Sequence, residues 1–298
     1  MSARLAILYE HPEWFERLFA ELDRRGADYE RWAAQRVIYD PEQRRLPSVV
    51  VNRMSPSAWR REHANGLFTT LDLLVSLEER DVRVVNGSEA YRVEISKARQ
   101  LDLFRRCGVG YPRARVINHR SLILDACAGL RFPICLKPNI GGSGAGIRRF
   151  DTQAELESQL PEVELGIDST SLVQEFLPAR DGCITRIEIL NGSFLYAIRI
   201  WPDFQSFNLC PADTCAVCPT GGKFRVERYD PPAEAVEGAL RLATAAHLDV
   251  GGIEYLIDDR TGRMCYYDIN ALSNFVADAK EVVGFDPTVR MVDYLLSL

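Results

Sequence analysis

The chain has 298 residues, 47% of them hydrophobic, which is enough to bury the cores of two or three domains or lobes. The formal net charge of −6 argues against a nucleic-acid-binding surface. The sequence contains no run of about 18 apolar residues, so we predict no membrane span. Eight scattered cysteines and an N-terminal stretch that reads as a strand rather than a signal peptide lead us to expect reduced thiols and a cytoplasmic location.

The N-terminal part of the chain alternates apolar strand patterns with helical ones. The strand patterns cover residues 3–9, 29–34, 48–54 and 82–86. This alternation predicts a parallel sheet covered on both faces, so we expect a Rossmann-like domain over residues 1–90. Asn52 and Arg53 end the third strand, where ligands bind in such sheets. An arginine fork there suits either a substrate carboxylate or a surface ion pair.

Two lysines and a glycine-rich loop stand out in the middle of the sequence. Only four of the 36 basic residues are lysines, and two of these are Lys97, in a helix predicted over residues 88–107, and Lys137, on a strand. Soon after Lys137, four glycines fall within six positions, from Gly141 to Gly146. Backbone N–H groups in such a loop can approach an anion closely, and a neighbouring lysine neutralises phosphate charge. The pattern predicts phosphate binding.

The stretch over residues 251–270 reads as a hairpin. If Gly262 closes a three-residue loop, counting back places Glu254 opposite Asp268. Asn270 would share their face, because side chains alternate along a strand. Opposed carboxylates repel unless a cation lies between them, and carboxylate and amide oxygens suit magnesium bound beside phosphates. The alternative is an edge hairpin whose polar face is only solvated.

Taken in order, these motifs resemble those of the ATP-grasp superfamily, nearest to its glutathione-synthetase and RimK-type ligases. They are Lys97 before Cys-Gly-Val-Gly-Tyr-Pro, Phe-Pro-Ile-Cys-Leu-Lys137-Pro, Gly-Gly-Ser-Gly-Ala-Gly146, Val-Gln-Glu-Phe-Leu177, Glu254 and Asp268-Ile-Asn270. The resemblance implies an α/β ATP-grasp fold in which two α+β lobes clasp ATP after the Rossmann-like (pre-ATP-grasp) domain. The central lobe, with the glycine-rich flap, would cover residues 91–171, and the C-terminal lobe, with the metal site, residues 172–298.

The resemblance also implies roles for individual residues. The contacts to ATP would come from Lys97, Lys137, Gly141, Gly142, Ser143 and Gly144, and from the hinge residues Gln174, Glu175, Phe176 and Leu177. One or two Mg2+ ions, with Mn2+ as a substitute, would be held by Glu254, Asp268 and Asn270. The catalytic arginines would be Arg186 and Arg199. The substrate contacts would be Asn208, Ser273 and Asn274, in addition to Asn52 and Arg53.

The activity implied by the resemblance is ATP-dependent carboxylate–amine ligation through an acyl phosphate, giving an amide, ADP and phosphate. The partners would be a small-molecule or peptide carboxylate and an amine, with no nucleic acid and no membrane, and a homo-oligomer is open. Relatives often have Pro-Gly after the asparagine matched by Asn270, whereas this chain has Ala271-Leu272, so the substrate is not carried over. Two alternatives are an ATP-grasp phosphotransferase acting on a small molecule and a regulatory protein that binds ATP without turnover.

A cysteine pattern at Cys210, Cys215 and Cys218 is left over. Three thiolates at this spacing can bind zinc if a fourth ligand is supplied. The single C-x2-C pair and the lack of a nearby histidine favour reduced cysteines that pack as small hydrophobes. A redox-sensitive loop is the remaining alternative, and we do not expect zinc.

Overall fold

The computed structural model describes residues 4–201 and 225–298, which form three β-sheets with associated helices. The strands are β1 (Leu5–Tyr9), β2 (Tyr29–Ala33), β3 (Val49–Arg53), β4 (Arg83–Val85), β5 (Ala114–Ile117), β6 (Ile134–Pro138), β7 (Arg148–Phe150), β8 (Ser171–Glu175), β9 (Ile184–Leu190), β10 (Ser193–Trp201), β11 (Arg225–Arg228), β12 (Val250–Ile257) and β13 (Met264–Asn270). The helices are α1 (Glu16–Arg24), α2 (Ala64–Glu78), α3 (Ser88–Glu94), α4 (Lys97–Arg106), α5 (Ile123–Cys127), α6 (Gln153–Gln159), α7 (Ala233–Ala245), α8 (Ala279–Val282) and α9 (Pro287–Ser297).

The N-terminal sheet has the strand order β2-β1-β3-β4, and its pairings are parallel. The parallel sheet expected from the strand–helix alternation is therefore present. One face packs on α2 in a core that contains Leu67 and Leu74. The other face contributes Ile7 and Val51 to a core shared with α1 and α9. The last helix of the chain thus covers the first sheet.

The single helix predicted over residues 88–107 is wrong, because the chain breaks into α3 and α4 near residue 96. Ser96 has extended backbone, and its hydroxyl accepts a hydrogen bond from the N–H of Arg99 at 3.3 Å. This is the geometry of a serine N-cap, a signal that the prediction overlooked in favour of apolar periodicity. The break makes Lys97 the first residue of α4.

The central sheet has the order β5-β8-β6-β7 and is antiparallel. Its core includes Ile134, Phe150 and Val173. The predicted lobe boundary between residues 171 and 172 falls at the start of β8. Because β8 pairs with both β5 and β6, the central sheet extends to Glu175 and the boundary belongs after it.

The C-terminal sheet has the order β11-β10-β9-β12-β13 and is antiparallel throughout. The turn between β9 and β10 is formed by Asn191 and Gly192, with φ values of 49° and 68°. Both are left-handed, as the Asn-Gly pair predicts. Helices α3, α4 and α7 cover one face, where Ile253, Tyr255 and Ile269 are buried.

The helices of the described residues are short compared with a membrane-spanning helix. Within residues 4–201 and 225–298, no helix combines the length and the apolar character that a bilayer span requires. The longest of them, α2, has 15 residues. A spanning helix needs about 20.

Candidate active site

The hairpin of β12 and β13 places Glu254 directly opposite Asp268, as predicted. Its turn, however, is one residue longer than predicted, since the N–H of Asp258 bonds across it to the carbonyl oxygen of Arg263 at 2.9 Å. A β-bulge at Tyr267 adds one residue to β13, and this extra residue brings Glu254 back into pairing with Asp268. The predicted pairing is therefore confirmed, although the predicted turn is wrong.

A row of paired residues crosses three strands: Arg186 of β9, Glu254 of β12 and Asp268 of β13. Arg186 Nη1 donates to Glu254 Oε1 at 2.8 Å, and Lys97 Nζ donates to Asp268 Oδ1 at 2.6 Å. Lys137 Nζ lies 4.0 Å from the same oxygen of Asp268. The two acids are thus surrounded by three cations that come from α4, β6 and β9.

Burial and charge act in opposite directions on these groups. Burial raises the pKa of Glu254, and Arg186 only partly offsets it. Burial alone would also raise the pKa of Asp268, but Lys137 and Lys97 outweigh it and the pKa is lowered. Burial lowers the pKa of Lys137, against the attraction of Asp268. The pKa values of the two paired carboxyl groups are therefore shifted in opposite directions.

Arg186 also reaches a second row, in which Gly252 of β12 lies between Glu188 of β9 and Asn270 of β13. Arg186 Nε donates to Glu188 Oε1 at 2.6 Å. A Cβ atom at position 252 would lie 2.4 Å from the guanidinium, so only glycine lets Arg186 span both rows. Asn270 Nδ2 donates to the carbonyl oxygen of Gly252 at 3.4 Å, and its amide oxygen is then the atom that it offers to a ligand.

The glycine-rich loop covers the same cleft. Gly141, Gly142, Ser143 and Gly144 line it together with the lysines and acids, around a volume of ≈ 870 Å³ that includes the open mouth. Ser143 and Gly144 are left-handed, with φ values of 53° and 69°. A Cβ at Gly142 would lie 3.3 Å from Pro56 Cγ. The loop therefore lies against the N-terminal sheet's connections and closes one side of the cleft.

Known proteins share sequence with this chain, although no protein-family profile matches it. It is 28% identical over 222 residues to D-alanine–D-alanine ligase A of Bradyrhizobium diazoefficiens, which covers 67% of this chain and 57% of that protein. It is 26% identical over 187 residues to a probable alpha-L-glutamate ligase 2 of Shewanella frigidimarina, covering 62% and 59% respectively. The chain thus spans less than two thirds of the length of these relatives.

A solved structure decides the fold. The ATP-grasp ligase PsnB, in complex with a phosphomimetic variant of its minimal precursor, Mg and ADP, matches with a TM-score of 0.72 over 100% of this chain and 99% of that one. The chain has the ATP-grasp fold. The two proteins are 18% identical, so this likeness establishes the ATP-grasp architecture and not the reaction.

The predicted ATP-grasp hinge lies where the central sheet passes into the C-terminal sheet. Glu175 Oε1 accepts a hydrogen bond from the N–H of Arg131 at 3.0 Å, and the N–H of Phe176 donates to the carbonyl oxygen of Pro133 at 2.9 Å. Gln174 and Leu177 are buried. None of the four hinge residues lines the cleft that holds the acids and lysines. The structure therefore places them apart from the proposed phosphate contacts.

Arg199 lies on the other face of the C-terminal ATP-grasp sheet. On β10, Ile198 pairs with Arg186 and Arg199 pairs with Thr185. Because side chains alternate along a strand, Arg199 and Arg186 point in opposite directions. The Arg199 guanidinium lies 4.0 Å from the ring centroid of Tyr229. The structure does not bring Arg199 to the cleft, contrary to the expectation that both arginines serve one site.

The predicted substrate residues are divided. Asn52 is buried and holds the end of β3, since its Nδ2 donates to the carbonyl oxygen of Asn86 at 3.1 Å and its Oδ1 accepts from the N–H of Met54 at 3.0 Å. It therefore does not offer its amide to the cleft. Arg53 donates to the carbonyl oxygen of Ser273, and Asn274 lines the cleft. The other predicted residues, Asn208, Cys210, Cys215 and Cys218, lie outside the described residues.

Asn139 is a site residue that the sequence analysis missed. Its carbonyl oxygen accepts from the N–H of Lys97 at 3.1 Å, and its Oδ1 accepts from the N–H of Ala98 at 3.0 Å. These bonds fasten the start of α4 to the end of β6. Asn139 therefore fixes Lys97 relative to Lys137, and its place two residues after that lysine was the available signal.

Two buried acids were also missed. Glu188 lies two residues after Arg186 on β9, so the period of a strand would have placed both on one face. Glu94, at the end of α3, accepts a hydrogen bond from the N–H of Ala271. Burial raises the pKa of Glu94 to about 7. No local pattern pointed to Glu94, because its partners come from the far end of the chain.

The donor set of the cleft fits a magnesium ion. Glu254, Asp268 and Asn270 offer two carboxylates and one amide on one face of the sheet. In the part of the chain that the structure describes, no group of three or more His, Cys, Asp or Glu side chains forms a closed metal site. Mg2+ is bound by one or two carboxylates and completes its shell with water and substrate phosphates. These residues therefore fit the ion.

Proposed function

We propose that the protein is an ATP-dependent carboxylate–amine ligase that forms an amide bond and releases ADP and phosphate. The observation that carries this proposal is the pairing of Glu254 with Asp268, beside two buried lysines and the glycine-rich loop in one cleft. The cations suit the phosphates of ATP, and the acids suit Mg2+. The names of the sequence relatives, both ligases, support the same reaction class.

We assign the three sheets to three functional units. The N-terminal unit, residues 1–90, is the Rossmann-like domain that precedes the ATP-grasp lobes. The central lobe covers residues 91–175 and carries Lys137 and the flap, with its end moved to follow β8. The C-terminal lobe covers residues 176–298 and carries the metal ligands. ATP is clasped between the last two units.

Each cleft residue has a role in this proposal. Lys97, Lys137 and the loop from Gly141 to Gly144 contact the phosphates. Glu254, Asp268 and Asn270 hold one or two Mg2+ ions, for which Mn2+ can substitute. Bound Mg2+ supplies charge neutralisation at the transferring phosphoryl group. Because Lys97 and Lys137 both lie near one oxygen of Asp268, a phosphate that enters there meets both ammonium groups.

The chemistry follows from charge. A carboxylate is a poor electrophile, and attack of its oxygen on the γ-phosphorus expels ADP and gives an acyl phosphate. A neutral amine then attacks the acyl carbon, loses a proton and expels phosphate. Arg186, held by Glu188 and Glu254, is positioned to stabilise the negative charge that develops. Arg199 has no role in this step, because it lies on the other face of the C-terminal sheet.

The test measures ADP release with free amino acids and peptides as carboxylates, with and without amines. PsnB was also solved with a precursor peptide, which is why peptides belong in the panel. Hydroxylamine should trap the acyl phosphate as a hydroxamate. Asp268→Asn should lower ADP release by about 10²-fold or more. Asp259→Asn, at an exposed acid in the same hairpin turn, should leave it unchanged.

Two outcomes would reject the proposal. Accumulation of a phosphorylated small molecule, with no amide under any pairing, identifies a phosphotransferase. Binding of ATP without consumption under any pairing identifies a regulatory protein.

A further inference from the structure

A second cavity adjoins the cleft on the side of the N-terminal sheet. Its volume is ≈ 440 Å³, including its open mouth, and it shares Trp14, Asn274 and Phe275 with the cleft. Much of the remaining wall is apolar and includes Phe15, Leu18, Val276 and Met291. The cavity and the cleft are therefore adjacent and share part of one wall.

Arg53 lines the cavity and has unused donors. It is 2% exposed, and its Nη2 donates to the carbonyl oxygen of Ser273. Its Nε and Nη1 have no hydrogen-bond partner within residues 4–201 and 225–298. The ring centroid of Phe15 lies 5.4 Å from the guanidinium. Buried polar groups normally find partners, and a carboxylate matches a guanidinium in charge and in shape.

The acids that act electrostatically on Arg53, Glu188 and Glu94, do not supply a hydrogen-bond partner for its free donors. Burial lowers the pKa of Arg53 to about 10, while Glu188 and Glu94 act to raise it, so the guanidinium is charged at neutral pH. Glu188 is bonded to Arg186 through Oε1, and its Oε2 is itself buried without a partner among the described residues. Arg53 and Glu188 are therefore not hydrogen-bonded to each other. Arg53 therefore has two donors without a partner among the described residues, in a cavity whose other charged lining residues are Arg17 and Asp286.

The segment between cavity and cleft is held in a strained conformation. Phe275 has a φ of 58°, which is rare for a bulky side chain. The N–H of Phe275 donates to Ser273 Oγ at 3.2 Å, and the N–H of Val276 donates to the hydroxyl of Tyr196 at 3.0 Å. Strain of this kind persists only where the surroundings impose it, and it is concentrated at ligand sites.

We propose that Arg53 binds a substrate carboxylate that is not activated: the α- or C-terminal carboxylate of an amino acid or short peptide. This inference rests on the proposed ligase function. A ligase whose substrates carry more than one carboxylate has to keep the others away from the γ-phosphate. Arg53 does so by holding one of them in the adjoining cavity.

Ser273 connects this cavity with the row of catalytic candidates. Its carbonyl oxygen accepts from Arg53, and its Oγ accepts from Arg186 Nη2 at 3.1 Å. Arg186 in turn bonds Glu254. Arg53 is thus a specificity-determining residue. A carboxylate bound to Arg53 would also stabilise the segment around Ser273, which orients Arg186.

Calorimetric titration with and without a non-hydrolysable ATP analogue and Mg2+ tests this. The probes are free amino acids and dipeptides, each paired with its C-terminal carboxamide. We expect free acids to bind about 10- to 100-fold more tightly than their carboxamides, the range for hydrogen bonds to a charged group. Arg53→Gln should abolish that preference without weakening carboxamide binding. Arg60→Gln, at an exposed neighbouring arginine, should leave it intact.

Three outcomes decide the matter. An acid preference that survives in Arg53→Gln overturns the assignment, and so does the absence of any acid preference in the unaltered protein. If Arg53→Gln does not fold, Arg53→Lys replaces it and should weaken the preference, since an ammonium lacks the planar fork. Acid-selective binding without ADP formation rejects the ligase proposal and leaves this site standing, because the titration needs no turnover.

Discussion

The ammonium of Lys97 lies 2.6 Å from Oδ1 of Asp268, although 171 residues separate them in the chain. Ser96 caps α4 so that Lys97 is its first residue, and Asn139 binds the backbone N–H of Lys97. Lys137 approaches the same carboxylate from β6. Backbone contacts therefore fix Lys97 at the start of α4, and a charge held in place in this way is the condition for electrostatic preorganisation.

Lys97→Met should lower kcat/KM for ATP by about 10²- to 10³-fold, because it removes one preorganised charge from the phosphate site. Steady-state ADP release measures the effect. Lys280→Met, which changes an exposed lysine of α8, is the matched control and should behave as the unaltered protein. Equal rates for both variants would show that Lys97 serves only to pair with Asp268.

Gly252→Ala should destabilise the protein, because the new Cβ would lie 2.4 Å from the Arg186 guanidinium. Displacing Arg186 leaves Glu188 and Glu254 buried without their partner, which costs about 3 kcal/mol in the free energy of unfolding. Urea unfolding measures it. In an Arg186→Ala background the clash is gone, so adding Gly252→Ala should cost almost nothing more. Additive effects in the double variant would contradict this account.

Glu94 makes stability depend on pH. Burial raises its pKa from 4.5 to about 7, so the folded state binds the proton more tightly than the unfolded state. The contribution of Glu94 to the free energy of unfolding is therefore highest below about pH 4.5, falls as the pH rises to about 7, and levels off above it. The whole change is about 3 kcal/mol.

Glu94→Gln removes this titration and keeps an oxygen for the N–H of Ala271. Urea unfolding at pH 5 and pH 8 should show the variant gaining about 2.5 kcal/mol on the unaltered protein between the two conditions. Glu89→Gln, at an exposed acid of the same helix, should track the unaltered protein. Parallel pH profiles for all three proteins would mean that Glu94 titrates normally.

Gly144→Ala should raise KM for ATP about tenfold, since the loop must present its N–H groups in a left-handed conformation. Gly144 has a φ of 69° and lines the cleft. Gly108 has a φ of 64° at the end of α4, with open space around it, and Gly108→Ala is the matched control. Both variants should lose about 1–2 kcal/mol of stability, as alanine does in this conformation, but only Gly144→Ala should change KM.

The sequence by itself determined the features that short-range chemistry controls. Asn191 and Gly192 form the left-handed turn that an Asn-Gly pair favours, and alternation along β12 and β13 assigned Glu254 and Asp268 to one face. The predicted pairing of Glu254 with Asp268 is correct although the predicted turn is one residue too short, because the bulge at Tyr267 compensates for the extra turn residue. A shift of the strand pairing by one residue would expose the apolar side chains of the hairpin. Their burial therefore selects the observed pairing of β12 with β13, even though the turn is longer than predicted.

Only the tertiary structure decided which side chains meet across the sheets. Arg53 contacts Ser273 from 220 residues away, and Glu94 contacts Ala271 from 177 residues away. No periodicity of a single strand or helix encodes such pairs, since they depend on how three sheets pack against one another. A β-bulge between Phe194 and Tyr196 shifts the register of β10, so that Arg199 pairs with Thr185 and faces away from Arg186. The residue types were readable in the sequence, and their partners were set by the fold.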